Sequence, residues 1–440
     1  MRVISSQFFR FLRFITNIVG MNKRSFLKSA ALAGAGTALS MDSLANLFQS
    51  KSGISAAELA QDETFWATIR KQYLLKPDYI NLENGYYNFI PQPLLEKFIG
   101  HVREVNYQGS WYMRNNAVDN KRKVIEKLAT LVGCSADEVT LTRNTTESMD
   151  IVITGKHWTA GDETIMAEQD YGSMIEAMHH VANRYGVVNK MVSVPNHPQS
   201  DEEIVSLYEK AITPKTKLIL VSHMINITGQ ILPIRKICDM AHERGVEVLV
   251  DGAHAIAHFQ FKITDLNCDY YGSSLHKWLS APLGAGLLYV KKDKMPGIWP
   301  LIVGWEKDPY KMLRISHTGT HPTHTDLTIS DSIDYYNMIG AERKETRLRY
   351  LQQYWTSRVR NHPRIIINTP ADPIRACGIA NVGIEGIKPG DLAKRLLDEH
   401  KVFTVAIDGA NVHGCRITPN VYTTTEELDR FVHALKTLAS

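Results

Sequence analysis

From about residue 139 to residue 290, short and mostly apolar runs alternate with stretches of helical periodicity, and few folds accommodate such an alternation. The runs are Val139–Arg143, Thr164–Ala167, Lys190–Val194, Leu218–Ser222, Val246–Asp251, Tyr270–Ser273 and Gly286–Val290. Between them, Thr146–Ile153, Gly172–Tyr185, Asp201–Ala211 and Ile234–Arg244 read as helices. Strands that are nearly continuously apolar have both faces covered, which is the condition of a mostly parallel sheet between helix layers. The expectation is an α/β fold with a seven-stranded, mostly parallel sheet. In such sheets ligands bind in the loops at the carboxyl ends of the strands.

Two domains are expected. Residues 56–325 form the large α/β domain, opening with a helical pattern over Ala56–Tyr79 that Pro77 closes. Residues 326–440 form a smaller α+β domain: a charged helix from about Ser330 to about Asn361, strands Ile374–Val382, Val402–Ala406 and His413–Thr418, and a closing helix from Thr425. The 440 residues, 44% hydrophobic, suffice for one large core and a smaller second one. A net charge of +4, without a Lys/Arg block or basic-aromatic stripe, argues against a nucleic-acid partner. No internal uncharged run reaches the roughly 18 apolar residues of a stable membrane span. The five cysteines contain no Cys-x-x-Cys pair, so neither a zinc knuckle nor a disulfide framework is expected.

Residues 1–55 read as an address and linker. Asn22–Lys28 is basic, and Ser29–Met41 is uncharged and rich in Ala and Gly, the build of an export signal. Lys23-Arg24-Ser25-Phe26-Leu27-Lys28 resembles the twin-arginine signal, with Lys in place of the first Arg, and implies a periplasmic destination. Ser43-Leu44-Ala45 offers a small-x-small cleavage site, and Phe8–Ile15 belongs either to an amphipathic anchor or to a stretch upstream of a start at Met21.

Each strand's carboxyl end supplies chemistry. Arg143-Asn144-Thr145-Thr146-Glu147-Ser148 opens a helix, where hydroxyls and free backbone N–H groups suit either an anion or an ordinary N-cap. Gln169-Asp170-Tyr171 brings an aromatic ring for stacking or for the core, and Ser222–Gly229 brings Asn226. Leu249-Val250-Asp251-Gly252-Ala253-His254 ends an apolar strand in a carboxylate, which must be paired or hydrogen-bonded there. Gly272-Ser273-Ser274-Leu275-His276-Lys277-Trp278 then places a lysine between a strand and the Pro282–Gly286 turn. Desolvation there lowers an amine's pKa and leaves it free to attack a carbonyl.

This ordered set, from about Asn81 to the end, resembles the class V aminotransferase family of fold-type I pyridoxal-phosphate (PLP) enzymes, with isopenicillin N epimerase-like proteins the nearest likeness. The resemblance implies that Lys277 carries PLP as a Schiff base and that Asp251 partners the pyridinium nitrogen. It places Tyr171 on the ring, Asn226 and His254 near the ring hydroxyl, and Thr145, Thr146, Ser274 and His276 on the phosphate. Gly319-Thr320 resembles the element that reaches the neighbouring subunit's phosphate, which implies a homodimer with shared sites. Arg416 matches the clamp for a substrate α-carboxylate, and the segments holding Tyr86 and Arg114 resemble substrate-side elements of an amino-acid enzyme.

The reaction implied begins with proton removal at Cα, for which the freed Lys277 is the natural base. Epimerisation, transamination and elimination share that step. Cysteine desulfurases of the family use a mobile-loop cysteine, whereas Ile407–Gly414 contains none before Cys415. A scaffold that merely binds PLP would have no need of Arg416. His317, His321 and His324 are read as a loop rather than a metal site, since Pro322 interrupts them and no carboxylate falls among them.

Overall fold

The computed structural model describes residues 39–440. The first strand, β1 (Ile80–Asn81), belongs to the small domain and is taken up below. The large sheet contains β2 (Val139–Thr142), β3 (Glu163–Ala167), β4 (Val188–Val192), β5 (Thr216–Ser222), β6 (Glu247–Asp251), β7 (Tyr270–Ser274) and β8 (Gly286–Val290), in the order β2-β8-β7-β6-β5-β3-β4. Neighbours from β7 to β4 are parallel, while β8 is antiparallel to both β7 and β2. Six strands thus point one way, and only β8 is reversed. Their carboxyl ends share one edge.

Alternation of side chains explains why the strands carry so little polar residue. Ile219 and Val221 of β5, with Val248 and Val250 of β6, enter the core on one face. Leu218, Leu220 and Leu249 enter the core on the other. Each such leucine, fully buried, contributes roughly 1.5–3 kcal/mol relative to exposure.

The small domain has its own core, built on β9 (Ile365–Ile367), β10 (Ala380–Ile384), β11 (Val402–Phe403), β12 (Val405–Gly409) and β13 (Val412–Ile417). The antiparallel order is β12-β13-β10-β9, and β1 pairs in parallel with β11. Ile80 and Leu82 therefore pack in the small-domain core, although they lie far upstream of residue 326.

Several expectations shift. The charged helix begins at Thr323 and is two helices, Thr323–Ile339 and Ala341–Val359, because Gly340 turns the chain at φ 92°. The run Ile374–Val382 is split: Asp372 caps a short 3₁₀ turn at Pro373–Arg375, and extended pairing starts at Ala380. Likewise Val402–Ala406 divides between two sheets. The opening pattern is two short helices, Ala56–Gln61 and Glu63–Arg70.

Part of the expected linker is structured. Met41–Ser50 is a helix capped by Ser40, with Leu44 and Phe48 in the main core. Arg343 donates to the carbonyl oxygens of Phe48 and Lys51, both at 3.1 Å. The cleavage site at Ser43-Leu44-Ala45 lies inside this packed helix; the basic signal segment and Phe8–Ile15 lie outside the described residues. Among the described residues, no helix is long and apolar enough to cross a membrane.

Candidate active site

At the edge where six strands end, a small cavity is lined by Tyr171, Ser222, Met224, Asn226, Asp251, Ala253, His254 and Lys277. Parallel register sets its floor. Asp251 ends β6 level with Ser222 of β5 and Gly272 of β7. Its Oδ1 accepts from the Ala253 N–H at 3.0 Å. Burial pushes this carboxyl above its ordinary range, against the Ala253 bond and the charge of Lys277. A carboxylate so placed, with no lysine or arginine in an ion pair with it among the described residues, suits a cationic N–H donor brought by a ligand.

Lys277 follows β7 in the turn that leads to β8. Burial brings its amine down to about 8, Asp251 and Glu83 pulling up and Arg416 pushing down. Its Nζ lies 3.0 Å from His254 Nε2. The His254 ring is held at its other nitrogen by the Trp278 indole N–H, 3.4 Å from Nδ1. Burial keeps His254 neutral, its pKa well below the usual value. With Nδ1 accepting, the single ring proton sits on Nε2 and points at the lysine. An imidazole N–H can donate only to an amine that has kept its lone pair, so this geometry favours the free amine, a form that burial makes accessible from about pH 8 upward. Trp278 is fixed in turn by His258, stacked on it at 3.6 Å and 16°.

Three residues before Lys277, the Ser274 Oγ accepts from the Thr145 N–H at 2.9 Å and shares a hydrogen bond with Thr145 Oγ1 at 2.7 Å. Thr145 and Thr146 open the helix Thr145–Gly155, whose N-cap is Asn144. His276 Nδ1 is buried without a partner, and burial pushes that imidazole down to about 4. Hydroxyls and backbone donors at a helix N-terminus suit a phosphate. A reactive amine, a buried carboxylate, the half-exposed Tyr171 ring and this cradle together fit PLP.

Not every expected residue joins the cavity. Tyr86 is 74% exposed, and Arg114 is exposed on the helix Ser110–Asn115. Thr320, expected at a neighbouring subunit's phosphate, is exposed beside Gly319. Arg416 on β13 is engaged by Glu83 through Nε at 3.2 Å and a terminal nitrogen at 2.5 Å. The sequence reading passed over Glu83, although a charge beside Asn84-Gly85 at the end of an apolar strand was a usable signal. It also missed Trp278 as the partner of His254. The histidine loop does include a carboxylate partner: Asp326 holds His321 at 2.9 Å, while His324 packs on Phe98 and His317 on Trp305.

The description "Aminotransferase class-V" matches residues 92–431. The chain belongs to this family. It is a PLP-dependent enzyme, and the fold is that of fold-type I. It is 26% identical to the isopenicillin N epimerase of Streptomyces clavuligerus, over 85% of this chain and 98% of that one. It is 25% identical to the cysteine desulfurase of Haloferax volcanii, over 81% and 88%. Among solved structures, the apo cysteine desulfurase of Thermococcus onnurineus superposes with a TM-score of 0.75 at 21% identity, covering 84% of this chain and 97% of that one. A lysine-to-alanine mutant of C-DES, with glycine covalently linked to its PLP cofactor, gives 0.75 at 20% identity, covering 83% and 98%.

Proposed function

We propose that this class V enzyme removes a proton from Cα of an amino-acid-type substrate and that its reaction is isopenicillin N epimerase-like. Lys277 holds PLP in this reading and then serves as the base. PLP, when bound, supplies the electron sink that makes a Cα proton acidic. Asp251 holds the ring nitrogen protonated, Thr145, Thr146, Ser274 and His276 hold the phosphate, and Tyr171 covers the ring. Asn226 and His254 would lie on the ring-hydroxyl side. The observation that carries the proposal is the buried Lys277 amine, 3.0 Å from His254 in a cavity that the carboxylate at the end of β6 also lines.

A desulfurase reading is weaker on chemical grounds. Burial raises every cysteine thiol of the chain: Cys415 to about 11, Cys134 and Cys377 to about 12, Cys238 and Cys268 further. A persulfide carrier must ionise and meet solvent. A transaminase or lyase shares the proton step and differs only in the steps after it.

A homodimer belongs to the same proposal. Trp299, Val303, Trp305 and Leu313 are large, apolar and exposed, as are Tyr107 and Trp111. Such a surface suits a second copy. Periplasmic export rests on Lys23–Lys28 followed by the uncharged Ser29–Met41 stretch.

The test is product analysis by chiral chromatography after incubation in D₂O with a panel of amino acids and peptides. Deuterium at Cα with inverted configuration supports epimerisation. A keto product, or loss of a side-chain fragment, moves the enzyme to transamination or elimination. No exchange at Cα from any compound, by PLP-loaded protein, rejects the proposal.

A further inference from the structure

Arg416 does not offer a free guanidinium fork. Two of its nitrogens are taken by Glu83, and the two side chains are 8% and 4% exposed. The Tyr86 backbone N–H gives the same carboxylate a third donor, at 2.9 Å. The remaining terminal nitrogen reaches the carbonyl oxygen of Asn226 at 3.4 Å, and Asn226 lines the cavity beside Lys277. The chain is shaped for this pair. Glu83 is bridged to Thr418 alongside β13. A Cβ at Gly85 would lie only 3.0 Å from Arg416 Cζ, so the fork occupies space that any other residue would fill.

We propose that Glu83 determines the substrate class. Resting on the Cα chemistry proposed above, the site takes an α-amino amide, meaning an amino-acid amide or the N-terminal residue of a peptide, in preference to a free α-amino acid. An arginine clamps a carboxylate by offering two parallel N–H donors. Here that edge is spent on Glu83. A second carboxylate meets a pair with no net charge, and taking the fork means leaving Glu83 buried and unpaired. An amide matches the groups that remain. Its carbonyl oxygen accepts from the Arg416 nitrogen beside Asn226, and its N–H donates to the Glu83 carboxylate. That carboxylate has about four lone-pair directions, one more than its present donors fill. The Arg416 contact with Asn226, which lines the cavity with Lys277, places the pair at the cavity wall.

Matched pairs decide the matter: alanine, leucine and lysine, each as free acid and as carboxamide, titrated calorimetrically into PLP-loaded protein. In the wild type the amide binds more tightly by about tenfold or more in each pair that binds, since a site built for one hydrogen-bonding pattern rejects another strongly. Glu83→Gln, close to isosteric, reverses the order by releasing the fork to carboxylates. Glu83→Asp keeps the charge and keeps the preference. Tighter binding of the free acids by the wild type overturns the proposal, and needs no variant to do so. An amide preference that survives Glu83→Gln unchanged removes Glu83 from the role. If neither member of any pair binds while the protein still carries PLP, the Cα chemistry falls and this inference with it.

Discussion

The Trp278 indole N–H donates to His254 Nδ1, and the proton this leaves on Nε2 faces Lys277 Nζ at 3.0 Å. The arrangement favours the free amine, which is the form that captures an aldehyde. The Lys277 amine titrates at about 8, lowered by burial. Capture of PLP by apo-protein should therefore accelerate as pH rises through about 8 and then level off. Trp278→Phe removes the donor and lets Nε2 accept from an ammonium instead, which favours the protonated lysine. The midpoint of the stopped-flow rate profile should move to higher pH; an unmoved midpoint would detach Trp278 from the site.

Lys277→Ala should lose PLP on dialysis, with the yellow colour of the wild type, because no other described amine lines the cavity. Borohydride reduction and peptide mapping of the wild type should find the pyridoxyl group on Lys277. Finding it on a different lysine ends the assignment.

Asp251→Asn should keep much of the bound PLP and lose most turnover. The phosphate cradle of Thr145 and Ser274 is left intact, whereas a neutral amide cannot hold the ring nitrogen protonated. A loss of about 100-fold or more in kcat, with little change in PLP content, is the expected pattern. Turnover close to wild type refutes the role of the carboxylate.

Leu44→Ala should destabilise the protein by about 2–5 kcal/mol, the usual range for emptying a packed leucine site. Leu44 has no exposed surface and shares the main core with Phe48, Phe65 and Trp66. Urea unfolding measures this directly. A change under about 0.5 kcal/mol, the size of an ordinary surface substitution, would mean that the helix Met41–Ser50 is not docked in solution.

If Lys23–Lys28 is an export signal, fractionation should recover a shortened chain from the periplasm, and Arg24→Lys should hold it in the cytoplasm. The new N-terminus should lie upstream of Met41, since a cut at Ala45 would remove Leu44 from the core. Full-length protein confined to the cytoplasm disproves the address.

All seven strands of the large sheet stand within a few residues of where the apolar runs put them, and Asp251 and Lys277 both reach the cavity. That much was legible because it is local. Residues buried on both faces must be apolar along the chain, and a polar residue at a strand's end is carried to the ligand edge by its own strand. The breaks at Gly340 and Pro373 were harder to see, since helical and extended patterns run on through a turn whose backbone angle the periodicity does not record.

The sheet, the edge on which its loops gather, and the lysine and carboxylate that line one cavity there were therefore already written along the chain. The partner of Arg416 was not. Glu83 lies 333 residues away, and it meets the arginine because β1 joins the small domain and Gly85 leaves room. A periodic pattern tells which face of an element is covered, but not which group covers it. That choice is made when separate segments pack, and here it determines whether the guanidinium is free to bind a carboxylate.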